Sequence, residues 1–205
     1  MNLQELQDQA YATSCEKGWH DRPLCPRMFD ATRNNEGPFK PDHDRILAKH
    51  ALIHSEITEA HEAATADCFS LRLVDSKPEG FVVEIADAII RIADTTAALA
   101  VPLRVDSLDW WGQARRLAAQ SREASHATTL GTLTMCTLAI ARQHIDHATE
   151  MVRVDRWAAW GVQHSHAVLI LASTCAGLGL DLPQALAVKM AYNKTRPIRH
   201  GGKSA

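Results

Sequence analysis

Apolar residues recur at intervals of three and four over most of the chain, the spacing of helices that each bury one face. Leu3, Leu6 and Ala10 mark a first helix over residues 2–17. Gly18, Pro23, Pro26, Gly37, Pro38 and Pro41 then make 18–41 a long loop. Ile46, Ile53, Ile57 and Ala60 carry a helix from about Asp42 to Cys68. Lys77-Pro78-Glu79-Gly80 breaks the pattern, with Pro78 placed for a first helical turn. Val83, Ala86, Ile90 and Ala93 stripe a helix over 79–99, which Pro102 ends. Ser107 caps a further helix to about Glu123, and another follows over about 125–153. A sixth spans about 155–177, where Gly177 and Gly179 supply a stop, and Pro183 opens a last helix ending near Tyr192. Strand-like alternation is absent, so the pattern predicts an all-α chain.

Composition supports that reading and narrows the partners. Alanine is abundant and aromatic residues are 5%, which favours helices over a sandwich or barrel. With 205 residues, 46% of them hydrophobic, the chain has room for one all-α domain with a sizeable core. Lys and Arg number 22 against 24 Asp and Glu, so no global positive charge points to a nucleic-acid polymer or a membrane surface. Cys15, Cys25, Cys68, Cys136 and Cys175 are scattered and form no CxxC pair, as expected of reduced thiols in a cytoplasmic protein. The first residues show no basic stretch followed by an apolar run, so no signal peptide is expected. The stretches 124–141 and 157–180 lack charge when histidine is neutral, and the second is long enough to cross a bilayer. It holds Gln163-His164-Ser165-His166, however, so buried helices of a soluble bundle are expected.

The two halves echo each other. Residues 80–103 laid on 159–182 match at Val83, Ala88, Ala93, Thr95, Ala97, Leu99 and Leu103, and residues 51–62 laid on 139–150 match at Ala51, Ile57, Ala60 and Glu62. Two pseudo-repeated helical units are therefore expected.

Chemistry concentrates in two acidic pairs. Glu56 and Glu59, and Glu84 and Asp87, are each three residues apart and so share a helix face. Both pairs lie beside apolar stripes and can face one groove between packed helices. Four carboxylates there would repel unless a cation neutralised them, and an all-oxygen set selects a hard ion, Mg²⁺ or Mn²⁺. Glu62 and Asp94 lie further along the same faces as candidate outer partners. From Lys189 to Lys203 the chain carries basic residues and no acid, with Lys189, Asn193 and Arg196 on one helix face. Those groups suit a polyphosphate.

The segment around Glu56–Glu62, the run Lys77–Asp94 and the tail from Lys189 to Lys203 strongly resemble the MazG-like all-α nucleoside triphosphate pyrophosphatases, and Lys17-Gly18-Trp19-His20-Asp21 is similar to the same family. The resemblance covers roughly residues 10–103 and 174–205. It implies a helical bundle of that type, in which Glu56, Glu59, Glu84 and Asp87 hold Mg²⁺ against a nucleoside triphosphate. Water then attacks the α-phosphorus to give a monophosphate and pyrophosphate. Lys189, Asn193 and Arg196 would contact phosphate or sugar. Beside these, Trp19, in a loop near that site, is a candidate to stack on a base, and Glu56, which begins the first motif, is a candidate to orient or deprotonate the water. A doubled Glu commonly opens the first motif, and Ser55 stands here in the first place.

Residues 104–173 form an insert that compact members lack. The internal alignments lay His144 on Glu56, His147 on Glu59, Gln163 on Glu84 and His166 on Asp87. The expected organisation is a catalytic half at 1–103, a degenerate second half at 104–182, and a last helix with a basic phosphate-binding tail at 183–205. Members often work as dimers, so a homodimer is one possibility and a fused second half covering the nucleotide another. Three alternatives stand beside this reading: a narrow dUTP or dCTP pyrophosphatase, a non-catalytic nucleotide-binding or helical interaction protein, and a transition-metal site at His144, His147 and His166. His54 and His61 are expected at the surface or behind the ligands, and Trp110, Trp111, Trp157 and Trp160 in the core.

Overall fold

The computed structural model describes residues 1–20, 43–103, 109–120 and 154–198, without the side chains of 43, 44, 47 and 154–160. Six helices and one hairpin lie among them: α1 (Leu3–Glu16), α2 (His43–Thr65), β1 (Arg72–Val74), β2 (Lys77–Glu79), α3 (Phe81–Ala98), α4 (Trp110–Gln120), α5 (Val154–Gly177) and α6 (Leu182–Thr195). The chain is mostly helical, as the periodicity predicts. The segments 121–153 and 199–205, with the helix expected over 125–153, His144, His147 and the end of the basic tail, lie outside the described residues.

The hairpin corrects the expectation of no strands. β1 and β2 pair antiparallel in the register Arg72↔Glu79, Leu73↔Pro78 and Val74↔Lys77. Three-residue strands are too short to show an alternation. The turn pair Asp75-Ser76 takes positive φ at both positions (49° and 67°) without the Asn-Gly or Asp-Gly signature that usually announces such a turn. Pro78 therefore sits in β2 rather than in a first helical turn, which a two-stranded sheet tolerates because both strands are edges.

α3 begins at Phe81, behind Gly80. That glycine has φ +118°, and a Cβ on it would lie 2.3 Å from the Ser70 carbonyl oxygen. The close approach lets Phe81 N–H donate to the Cys68 carbonyl (2.8 Å) and Val82 N–H to that of Phe69 (3.2 Å). Two of the orphan donors at the start of α3 are thus satisfied by the exit from α2.

α3 is apolar nearly all round, and a helix of that kind belongs inside. Every residue from Phe81 to Ile90 is buried, and α1, α2, α5 and α6 pack against the helix. Leu6, Ile53, Ile85, Ile89, Ile92, Leu171 and Leu182 are fully enclosed around it. Gln7 ties α1 to the end of α3: its Nε2 donates to Thr96 Oγ1 (2.9 Å) and the Val101 carbonyl (3.0 Å), and its Oε1 accepts from Leu103 N–H (3.0 Å). At α6, Asp181 caps by accepting from Gln184 N–H (3.0 Å), with proline in the first turn as the sequence predicts. Trp110 is buried and Trp111 partly buried. No single helix among the described residues is long and apolar enough to cross a membrane; the stretches 161–177 and 182–195 would qualify only together, and they bend by 116°.

Candidate metal centre

Glu84, Asp87, Arg91 and Asp94 are spaced three, four and three residues apart, which places all four on one stripe of α3. On a helix otherwise walled in by apolar contacts, this stripe is a polar seam. Its three carboxylates are buried, at 4%, 5% and 8% exposure. α2 delivers Glu56 against the seam, and α6 delivers Lys189 and Asn193.

One carboxylate oxygen each from Glu56, Glu84 and Asp87 lies within 4.8 Å of the others. Oxygens around one small hard cation stand roughly 3 Å apart when adjacent and about 4.2 Å when opposite, at an Mg–O distance of roughly 2.1 Å, so the three carboxylates must draw inward to share a single ion. The donors are all oxygen, which fits Mg²⁺ or Mn²⁺ and disfavours zinc. Sequence spacing predicts four ligands, and the structure gathers three. Glu59 is exposed and stands outside the triad, although its charge still acts on Glu56 and Glu84.

Two cations sit on the triad. Arg91 Nη2 is 2.7 Å from Glu56 Oε1 and 3.8 Å from Asp87 Oδ2. Lys189 Nζ is 3.3 Å from Asp87 Oδ2 and 3.9 Å from Glu84 Oε2. Asn193 Nδ2 donates to Asp87 Oδ1 at 3.5 Å. With all three acids ionised, one negative charge remains uncompensated, and Glu59 adds to the excess. Burial, then the charge of Asp87, pushes Glu56 up to about 8 despite Arg91. Burial also raises Glu84, against the pull of Lys189. Burial would raise Asp87 too, but Arg91 and Lys189 outweigh it and hold that carboxyl below its ordinary range.

These shifts give stability a defined pH dependence. Glu56 keeps a proton when folded that it loses near 4.5 when unfolded. Its contribution to stability is full below that value and is lost as pH rises through about 8. Asp87 and Asp94 act oppositely, losing their contribution as pH falls through their lowered values. Chemical denaturation between pH 5 and 9 is expected to show stability falling toward the alkaline end, with Mg²⁺ or Mn²⁺ reversing the fall by replacing the proton. A flat profile unaffected by metal would contradict this electrostatic picture.

The far end of the seam is a separate cluster. Asp94 is bonded away from the triad, its Oδ1 2.7 Å from His20 Nε2 and its Oδ2 accepting from Lys49 Nζ at 2.7 Å, although its charge still acts on Arg91. Burial would raise this acid, but Lys49 and His20 hold it low. The His20 ring also packs on Tyr11, with centroids 4.9 Å apart. Lys49 stands seven residues before Glu56, and Asp94 seven after Asp87, so this cluster sits two turns along both helices, roughly 10 Å away. Neither Lys49 nor His20 stood out as a site residue in the sequence, because the pairing requires α2 and α3 to be in register.

The remaining expected groups divide. Lys189 and Asn193 reach the triad. Arg196 does not: it is the C-cap of α6, in extended conformation, with its guanidinium 5.9 Å over the Tyr192 ring. The Trp19 carbonyl accepts from Arg45 Nη2 (3.2 Å), and Lys17 Nζ donates to the Lys194 carbonyl (2.6 Å), which fastens the end of α1 to the end of α6. Glu62 and His61 are exposed and His54 is partly buried. Gln163 and His166, which the internal alignment lays on buried Glu84 and Asp87, are exposed, whereas His164 between them is buried and packs on His50 at 5.6 Å. Comparison with protein-family models, with curated proteins and with solved structures finds no match to this chain.

Proposed function

We propose that the protein is a divalent-metal-dependent nucleoside triphosphate pyrophosphohydrolase, the activity implied by its resemblance to the MazG-like all-α family. The observation that carries the reading is the buried triad of Glu56, Glu84 and Asp87 with Lys189 and Asn193 of α6 laid on it. A bound Mg²⁺ would supply positive charge to the phosphoryl oxygens and to the departing pyrophosphate. Glu56, Glu84 and Asp87 would hold it, with Glu59 drawn in as a fourth acid. Glu56 orients or deprotonates the attacking water, a role open to it once a bound cation has displaced its own proton. Lys189 and Asn193 bind phosphate oxygens, Arg196 and the basic tail add positive charge for the polyphosphate, and Trp19 stacks on the base. A cytoplasmic location belongs to the same reading, with the nucleotide covered either by the degenerate second half or by the second subunit of a homodimer.

A second reading takes the triad as a structural ion-pair network, and the pairing of Arg91 and Lys189 with its acids favours that view. The excess of acids over cations speaks against it: three buried carboxyls meet two cations, Glu56 is left holding a proton, and a network selected for stability alone has no need of an acid it cannot ionise. Incubation with a panel of ribo- and deoxyribonucleoside triphosphates and Mg²⁺, with products separated by chromatography, decides between them. Monophosphate and pyrophosphate are expected; orthophosphate release, or no turnover of any substrate, contradicts the proposal.

A further inference from the structure

Arg91 is the one charge in the centre to which the spacing of acids assigns no role. It lies one turn beyond Asp87 on the seam, and its Nη2 holds Glu56 at 2.7 Å. Its Nε is buried and has no hydrogen-bond partner among the described residues. A guanidinium carries five N–H donors in a fixed fork, and the one on Nε is unspent among the described residues. A divalent ion gathered by all three carboxylates would lie beside the guanidinium that already holds Glu56 Oε1, and like charges so close repel unless one of them is drawn off. The released guanidinium, still anchored on a buried helix, would then face a second cation with no acceptor of its own, which is costly in a low-dielectric site. Phosphate oxygens are the acceptors whose geometry matches its fork. A polyphosphate arriving without metal meets the opposite difficulty, the carboxylates of Glu84, Asp87 and Glu59 with no divalent cation between them and the phosphates.

We propose that Arg91 is a resident counter-ion that makes divalent-cation and polyphosphate binding mutually dependent: it holds Glu56 until a phosphate draws it away, and the metal then takes its place. Lys189 does the same at Asp87 and Glu84. The inference deepens the pyrophosphohydrolase reading, on which it rests for the site's occupants, and it makes Arg91 a positioning residue. Linkage makes the effect reciprocal, each ligand strengthening the other by the same factor.

The test is equilibrium dialysis of Mn²⁺ against the full chain with and without inorganic tripolyphosphate, both counted on each side and their solution complex solved for. In the wild type, tripolyphosphate should tighten Mn²⁺ binding about tenfold or more. Arg91→Gln should bind Mn²⁺ alone about tenfold more tightly than the wild type and lose most of the enhancement, whereas Arg91→Lys, which keeps the charge, should bind Mn²⁺ alone as the wild type does. If Arg91→Gln fails to fold by circular dichroism, Lys189→Gln carries the same expectation of tighter Mn²⁺ binding. The inference is overturned if the folded variant binds Mn²⁺ alone no better than the wild type, if its enhancement is undiminished, or if wild-type Mn²⁺ binding ignores tripolyphosphate. Mutual binding without turnover of any nucleotide overturns the pyrophosphohydrolase reading alone; turnover without mutual binding overturns this inference alone.

Discussion

Asp87→Asn is expected to lower kcat by about a thousandfold or more, with Mn²⁺ binding reduced in parallel. Asp87 receives more partners than any other acid of the centre: Lys189, Asn193 and, more distantly, Arg91. It is also the triad member whose neighbours keep it charged, so it contributes the most dependable negative charge to a metal. The amide is isosteric and can still face Asn193. Arg91 keeps Glu56 at 2.7 Å, so the fold should survive with a loss of about 1–3 kcal/mol from weakened charged hydrogen bonds. Steady-state kinetics, Mn²⁺ dialysis and thermal unfolding on the same preparation separate the two effects. Turnover within a few fold of wild type in a folded variant would remove Asp87 from the centre.

Asp94→Ala is expected to act on stability, costing about 3–5 kcal/mol, because it strips the acceptor from two partners at once. His20 is nearly enclosed and Lys49 largely so, and both would be left facing each other 3.4 Å apart without the carboxylate between them. The loss should also loosen residues 17–20 from α2 and α3, so amide exchange there should rise ahead of global unfolding. Asp94→Asn keeps an acceptor and should cost less. Urea denaturation measures both, and a cost below about 1 kcal/mol for the alanine variant would show that the cluster adds nothing to the fold.

The helices were legible because burial of one face writes a three-and-four periodicity into the sequence. Ends were legible where a residue carries the geometry, as Asp181 and Pro183 do at the start of α6. The β1–β2 hairpin was not, because three-residue strands around Asp75-Ser76 leave no periodic trace. Glu56, Glu84 and Asp87 could be singled out from spacing alone, since buried acids on consecutive apolar helices need a partner. Glu59 shares that spacing, yet it points to solvent: spacing fixes a face only to within the width of a turn. Asp94 was seen, but its partners were not. His20 and Lys49 reach it from different elements, and no local pattern encodes a contact between residues 74 and 45 positions apart. The role of Arg91 was hidden for the same reason, because its attachment to Glu56 depends on how α2 and α3 pack.

The most direct test of the central claim is hydrolysis of a nucleoside triphosphate in ¹⁸O-labelled water with Mg²⁺, followed by mass analysis of both products. Attack on the α-phosphorus by water held at the Glu56–Glu84–Asp87 centre predicts that the label appears in the nucleoside monophosphate. It should be absent from pyrophosphate, and turnover should vanish when the metal is chelated. Label in pyrophosphate or orthophosphate, or unchanged turnover in chelator, would contradict the account.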